Sequence, residues 1–368
     1  MSPTLVILVV GSLVAASCAL VGSFLVLRKM ALLGDAISHS VLPGIAIAFF
    51  VTGERAALPM VLGAGALGVI TVFLVELFHR SRRLKEDASI GVVFPALFSI
   101  GVILVSRYAS QVDLDLDCVL YGEIAYTPWD LLFWGSQSFG PKALWVTGGV
   151  LVLNALFVGV FYKELKISTF DPELAASLGF SPTWLHYGLM SAVSLTVVGS
   201  FESVGAILVV AMLVVPPATA FLLTDRLSRL LALAVGLGVL SAVAGYWLAR
   251  WWDCSIAGAM AVVAGFFFVL ALGLSPRYGL LGRLLTYRGL RERLAGQLVL
   301  LHLQQEEPRL PIATLQKRFG WSLGRFQKTL RRLVRAGWIE QRGESLRLTS
   351  AGADFLESTG GSHLAHRL

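Results

Sequence analysis

Charge is scarce in this chain. Lys, Arg, Asp and Glu together make up 14% of its 368 residues, where soluble domains carry about a quarter. An ordinary soluble enzyme with a solvated shell is therefore excluded. Cysteine is scarce too: Cys18, Cys118 and Cys254, with no CxxC pair. That excludes a disulfide framework or a cysteine zinc cluster and leaves open only a Cys118–Cys254 bridge. No GxxxxGK[ST] occurs, so the chain carries no ATP-hydrolysing site of that kind. The first apolar run, Leu5 to Leu27, has no Lys or Arg ahead of it. A cleaved leader needs that basic start, so the run reads as a first span even though "VAASC" ends at Cys18.

What the chain has in abundance is apolar sequence. Hydrophobic residues make up 56%, and apolar windows recur at about the 20 residues a helix needs to cross hydrocarbon. The windows fall at 5–27, 34–52, 57–78, 88–107, 142–162, 182–199, 203–223, 229–249 and 255–275. The segments between them alternate. One set is basic: Arg28-Lys29, "HRSRRLKED" at 79–87, "YKELK" at 162–166, Arg226 with Arg229, and everything after Pro276. The other is neutral or acidic: "GER" at 53–55, the loop 108–140, Glu202, and "RWWD" at 250–253. Basic loops stay in the cytoplasm. Nine spans with the N-terminus outside and the C-terminus inside satisfy this alternation without a fault. The fold class expected is an all-α polytopic membrane domain over 1–285. The outer loop 108–140, with "LYGEIAYTPWDLLFW", is either an aromatic belt or a docking mouth for an external partner.

The charge is uneven. Up to Leu285 there are 16 basic and 16 acidic residues; from Thr286 there are 14 and 7, so the whole formal +7 lies in the tail. The tail, 286–368, reads as helices at 290–307, 311–320 and 322–338, two strands within 338–349 around Gly343-Glu344, and a helix at 350–359. Ser322 is the expected N-cap of the third helix, and Phe326, Leu330, Leu333 and Val334 its apolar stripe. That order, with a basic third helix, is the winged helix-turn-helix pattern. Arg325, Lys328, Arg331, Arg332 and Arg335 lie on or beside that helix as candidate contacts for nucleic acid or a protein partner.

Asp35 and His39 stand four residues apart inside the second window, with Pro43 four further on. The spacing puts them on one helix face. An ionisable residue within a span marks a functional site by default. A carboxylate with an imidazole suits Zn²⁺, Mn²⁺ or Fe²⁺. The same pair also suits an intramembrane proton relay, or a polar pair bonded to neighbouring helices. As a metal ligand the imidazole must be neutral, so acid should weaken binding. Glu202, and with less reason Asp253, Glu123 and His186, are further candidate ligands.

Three blocks resemble the membrane permease subunits of manganese, zinc and iron ABC importers, the ABC-3 family: "LLGDAISHSVLPGIAIAF" (32–49), "LKISTFDPELAASLGF" (165–180) and "VGAILVVAMLVVPPATAFLLTDRL" (204–227). The resemblance implies a helical bundle like that of the vitamin B12 importer permease. It implies a second permease chain, identical or related, two ATP-binding cassette ATPase subunits, and an extracytoplasmic metal-binding protein. It implies no permanently bound cofactor, only the transported Mn, Zn or Fe ion. It assigns metal contact to Asp35 and His39, and ATPase coupling to the cytoplasmic segment with Phe170, Asp171, Pro172, Glu173 and Gly179. The tail departs from most of the family and is similar to the winged-helix modules of iron- and manganese-dependent repressors. The expected location is the bacterial cytoplasmic (inner) membrane, with the tail in the cytoplasm. Two rival functions remain: a proton-coupled secondary transporter and a membrane-tethered transcription regulator that would bind DNA.

Overall fold

The computed structural model describes residues 2–52, 57–80, 86–108, 123–134, 137–275, 279, 294–304, 310–311, 321, 323–342 and 345–358. The chain divides into two compact units, Met1–Gly279 and Leu280–Leu368.

The first unit is a helical bundle. Its long helices are α1 (Pro3–Leu27), α2 (Ala31–Thr52), α3 (Ala57–Arg80), α4 (Glu86–Tyr108), α5 (Lys142–Val160), α8 (Pro182–Val204), α9 (Ala206–Leu223), α10 (Leu227–Trp252) and α11 (Ile256–Leu274), with two short helices, α6 (Tyr162–Phe170) and α7 (Pro172–Ser177), between α5 and α8. A helix thus occupies each apolar window. Among the described residues, seven are long and apolar enough to cross a membrane by length and composition: α1, α2, α4, α5, α9, α10 and α11. The apolar stretch of α3 is shorter, Leu62–Phe78. Gly205, at φ 77°, is the sole residue between α8 and α9. Glu202, expected in a connection, lies in the last turn of α8.

Helix α1 is the hub and packs against α5, α8, α9 and α10. Val10, Val14, Val21, Phe24 and Leu25 along it are fully buried. Lipid is as apolar as a leucine side chain, so close packing and polar contacts, not water exclusion, hold such helices together. Both are visible. Asn154 of α5 donates to Ser17 Oγ at 2.8 Å and to Thr196 Oγ1 at 2.6 Å, joining α1, α5 and α8. The hydroxyls of Ser23, Thr147, Thr219 and Ser241 donate to carbonyls of their own helices four residues back. That satisfies each hydroxyl's donor where no water is present. Glycines permit the closest crossings. At Gly44 of α2 and Gly63 of α3, a Cβ on either would meet the other's carbonyl oxygen, at 2.5 and 2.6 Å.

The described part of the connection between α4 and α5 holds structure that the sequence pattern did not reveal. Strands β1 (Leu131–Trp134) and β2 (Gln137–Pro141) form an antiparallel hairpin. A 3₁₀ turn at Ile124–Tyr126 buries Ile124 in the bundle core. A Cβ on Gly11 of α1 would stand 3.4 Å from the Ile124 side chain, so this turn rests on α1. Tyr126, Trp129, Phe139 and Trp145 stay exposed. Cys118 lies outside the described residues.

The second unit has its own core. It contains α12 (Leu294–Gln304), β3 (Leu310–Pro311), α13 (Leu323–Arg335), β4 (Ile339–Arg342), β5 (Ser345–Leu348) and α14 (Ser350–Ser358). The sheet is antiparallel in the order β3-β5-β4. Phe326, Leu330 and Leu333 of α13 are buried with Val299, Leu300, Ile339, Leu346 and Leu356. Val334, expected in the stripe, is exposed; it sits about 100° around the helix from Leu333 and so faces away. Pro311, expected to open a helix, stands in β3 and pairs with Ser345. The remainder of that expected helix, and Ser322, lie outside the described residues.

Candidate functional site

Helix α2 begins at Ala31, three residues before the expected start. At 1.5 Å per residue, Asp35 and His39 lie about 6 and 12 Å from its first residue. The helix turns both onto one face, with His39 Nε2 3.5 Å from Asp35 Oδ1. That is ion-pair distance, longer than a good hydrogen bond. The His39 ring leans on α4: its centroid is 5.4 Å from that of Phe94 and 6.3 Å from that of Phe98, the second edge-on. Two phenyl rings thus fix the imidazole plane, while Asp35 holds one nitrogen edge. The side chains remain 36% (His39) and 50% (Asp35) exposed. The pair therefore lies open on the bundle surface, not sealed inside one chain.

The neighbouring turns are held firmly. Ser38 donates to Gly34 O, and Thr71 of α3 donates to Ser40 Oγ at 2.8 Å. Leu213 of α9 wedges between two glycines: a Cβ on Gly22 of α1 would stand 1.9 Å from the Leu213 carbonyl oxygen, and one on Gly34 would stand 2.2 Å from its Cδ2. Pro217 explains the free carbonyl. It lies inside α9 and has no N–H to give the carbonyl four residues back. The Leu213 oxygen faces the Gly22 backbone instead, a contact of the weak Cα–H···O kind.

Glu202 is not brought to the pair; its carboxylate accepts from Lys142 Nζ. Among the described residues no group of three or more His, Cys, Asp or Glu side chains assembles. Asp35 and His39 together present one oxygen and one nitrogen donor group, two fewer ligands than a tetrahedral ion takes.

The segment expected to meet the ATPase is shaped by local chemistry. Asp171 caps α7, its carboxylate accepting from Leu174 N at 2.9 Å, and Pro172 fills the first position. Gly179, at φ 87°, ends it: Gly179 N reaches Ala176 O and Phe180 N reaches Ala175 O. This is the glycine-terminated motif that satisfies the last carbonyls. Only Ala175 of this helix is buried, while Phe170, Leu174 and Leu178 are exposed by 60%, 48% and 56%. Helix α6 before it was not foreseen.

Arg28, expected at the cytoplasmic surface, is turned inward. Its Nε donates to Thr169 Oγ1 at 3.2 Å and Nη2 to Ser168 Oγ at 3.0 Å, both on α6, and Nη1 stands 3.5 Å from His186 Nδ1 on α8. His186 Nε2 in turn lies 3.9 Å from Glu76 Oε2 on α3. Burial pulls the Arg28 pKa down from its usual value. Glu76 was not among the sequence candidates, although an acid within an apolar window was signal enough.

In the second unit Lys328, Arg331, Arg332 and Arg335 are exposed along α13. The Arg325 side chain lies outside the described residues.

A bundle of apolar helices, seven of them among the described residues long and apolar enough to cross a membrane, is the architecture of an integral membrane protein. Residues 3–275 match the ABC 3 transport family, and the chain belongs to that family. It is 50% identical over 290 residues to the manganese transport system membrane protein MntD of Bacillus subtilis, covering 79% of this chain and 98% of that protein. It is 42% identical over 361 residues to the zinc transport system membrane protein TroD of Treponema pallidum, covering 96% and 98%. That match is longer than the first unit and so extends into the second. Among solved structures, PsaBC from Streptococcus pneumoniae in complex with Fab matches at 28% identity and a TM-score of 0.63, over 76% of this chain and 94% of that one.

Proposed function

We propose that this chain is the permease subunit of an ABC importer for a divalent transition metal, Mn²⁺, Zn²⁺ or Fe²⁺, in the bacterial cytoplasmic membrane. The observation that carries this is the Asp35–His39 pair, open on a family helix whose two donor types suit those ions. Relatives named for manganese and zinc transport support the ion class. Asp35 and His39 bind the ion in transit, and it is cargo, not a resident cofactor. Two ligands hold it loosely enough to release. A second permease chain, identical or related, covers the exposed pair; across a two-fold axis it brings a second pair, making four ligands. An extracytoplasmic protein delivers the ion to the outer mouth.

The chain hydrolyses no ATP itself. Separate ATPase subunits dock on the coupling segment, where exposed Phe170, Leu174 and Leu178 offer an apolar anchor, with Asp171, Pro172, Glu173 and Gly179 fixing its shape. Nine spans, with α3 and α8 included, place this segment, Arg28 and the tail in the cytoplasm. Reconstitution tests the reading: metal should enter vesicles only with ATP and the partner ATPase. Uptake that persists without the ATPase would make the chain a secondary transporter instead.

The tail 286–368, within the second unit, is a winged helix, with β4 and β5 as the wing and α13 as the basic helix. Support comes from its strand order and separate core. Its role is regulatory contact with the importer's own subunits rather than DNA. Deleting 286–368 is expected to leave ATPase-dependent uptake in place but change its control by cell metal status. Control that survives the deletion intact would remove this role.

A further inference from the structure

The cytoplasmic end of α1 joins three things that sequence keeps far apart. Arg28 is the cap of α1, and it grips two consecutive hydroxyls of α6, Ser168 and Thr169, with a planar fork of donors. The same guanidinium reaches His186 of α8, which lies against Glu76 of α3. Ser168 is itself buried. A surface arginine pairs loosely with whatever is near; this one is committed in three directions within the bundle.

The chain after Arg28 forms a stiff elbow. Lys29 N bonds to Val26 O and Met30 N to Leu25 O, and Lys29 takes φ 64°. This is the helix-ending motif that ordinarily places glycine at the left-handed position. A lysine there is strained, and it persists because the surroundings fix it. Met30 O then accepts from Leu33 N, so the turn runs directly into the first turn of α2. Asp35 is seven residues from Arg28 in sequence. No flexible linker separates the grip on α6 from the metal pair.

Resting on the reading above, we propose that Arg28 is the transmission residue of the importer: it carries displacement of the coupling helices, through the Lys29 elbow, to the turn of α2 that holds Asp35. It is a positioning residue. It touches no metal and no nucleotide. When the ATPase moves α6, a rigid fork on Ser168 and Thr169 drags the end of α1, and the elbow turns that into rotation or shift at Asp35 and His39. Lysine cannot replace it fully, because a single ammonium cannot hold both hydroxyls and the imidazole in one plane.

The test uses the full complex of permease, ATPase and metal-binding protein in proteoliposomes, with Mn²⁺ as probe. Arg28→Gln should keep the ATPase at normal stoichiometry on purification, keep basal ATP hydrolysis, and keep Mn²⁺ binding to the nucleotide-free complex. The stimulation by loaded binding protein should fall about tenfold, the scale of a coupling free energy. Arg28→Lys should restore part of it. The double variant Ser168→Ala with Thr169→Val removes the grip from the other side and should reproduce the loss, which also serves if Arg28→Gln folds poorly. Stimulation within twofold of wild type in both would overturn the proposal, as would loss of stimulation that merely tracks loss of the ATPase from the complex. Mn²⁺ binding that ignores Asp35→Ala would instead sink the metal-site reading, a failure distinct from this one.

Discussion

Asp35→Ala and His39→Ala are each expected to lower initial metal uptake by about 100-fold or more, because even loss of a supporting outer-sphere group at metal sites costs 10- to 100-fold. The loss should come with the bundle intact. Both side chains are half exposed and neither fills the core, so expression and thermal unfolding in detergent should match wild type. On the proposed function both residues serve a single ion, so the double variant should lose little beyond either single one. Radiolabelled uptake at limiting metal is the measurement. His39→Ala removes the ring that Phe94 and Phe98 flank, so a smaller structural effect at α4 should accompany it and be absent from Asp35→Ala. Uptake that stays within a fewfold of wild type in both would mean the pair is a structural contact.

Gly22→Val is expected to collapse the bundle. The Cβ alone would stand 1.9 Å from the Leu213 carbonyl oxygen and 2.8 Å from its carbonyl carbon. Both are backbone, and α9 is itself packed there, with Leu213, Pro216 and Pro217 buried. Overpacking of side chains against side chains costs about 1–3 kcal/mol; against fixed backbone the cost should exceed that range. The expected result is failure to accumulate in the membrane, or a fall in the unfolding midpoint of tens of degrees. Gly65→Ala is the control: nothing lies within 4 Å of a Cβ there, so its effect should stay within about 0.5 kcal/mol. Gly34→Ala falls between them, because its Cβ would meet only the movable tip of Leu213. The link to function is direct. Leu213 touches both α1 and the residue before Asp35, so this packing fixes where the pair points.

The helices of the bundle were readable because a segment that crosses lipid is apolar along its length, which holds for seven of the nine long helices among the described residues, and each stop was a charged or turn-forming cluster. Asp35 and His39 were readable for the same reason reversed, as polar residues where polarity is expensive. The cap at Asp171 and the stop at Gly179 are local chemistry and appeared where the pattern put them. The inward turn of Arg28 was not readable. A basic residue just past a span looks like any cytoplasmic anchor, and its partners Ser168 and Thr169 lie about 140 positions on. Nor was the approach of Leu213 to Gly22, since a proline pair announces a freed carbonyl but not which helix receives it. The hairpin 131–141 was hidden because "LLFW" reads equally as an interfacial belt. Glu202 looked like a candidate ligand until Lys142, sixty positions before it in the chain, took its carboxylate.

ATP hydrolysis by the reconstituted complex, with and without Mn²⁺-loaded binding protein, bears most directly on the claim that this permease passes a metal ion over Asp35 and His39. The wild-type complex should be stimulated by the loaded protein and not by the empty one, and Asp35→Ala and His39→Ala should keep basal hydrolysis while losing the metal-dependent part. Metal stimulation that is undiminished in both variants would contradict it.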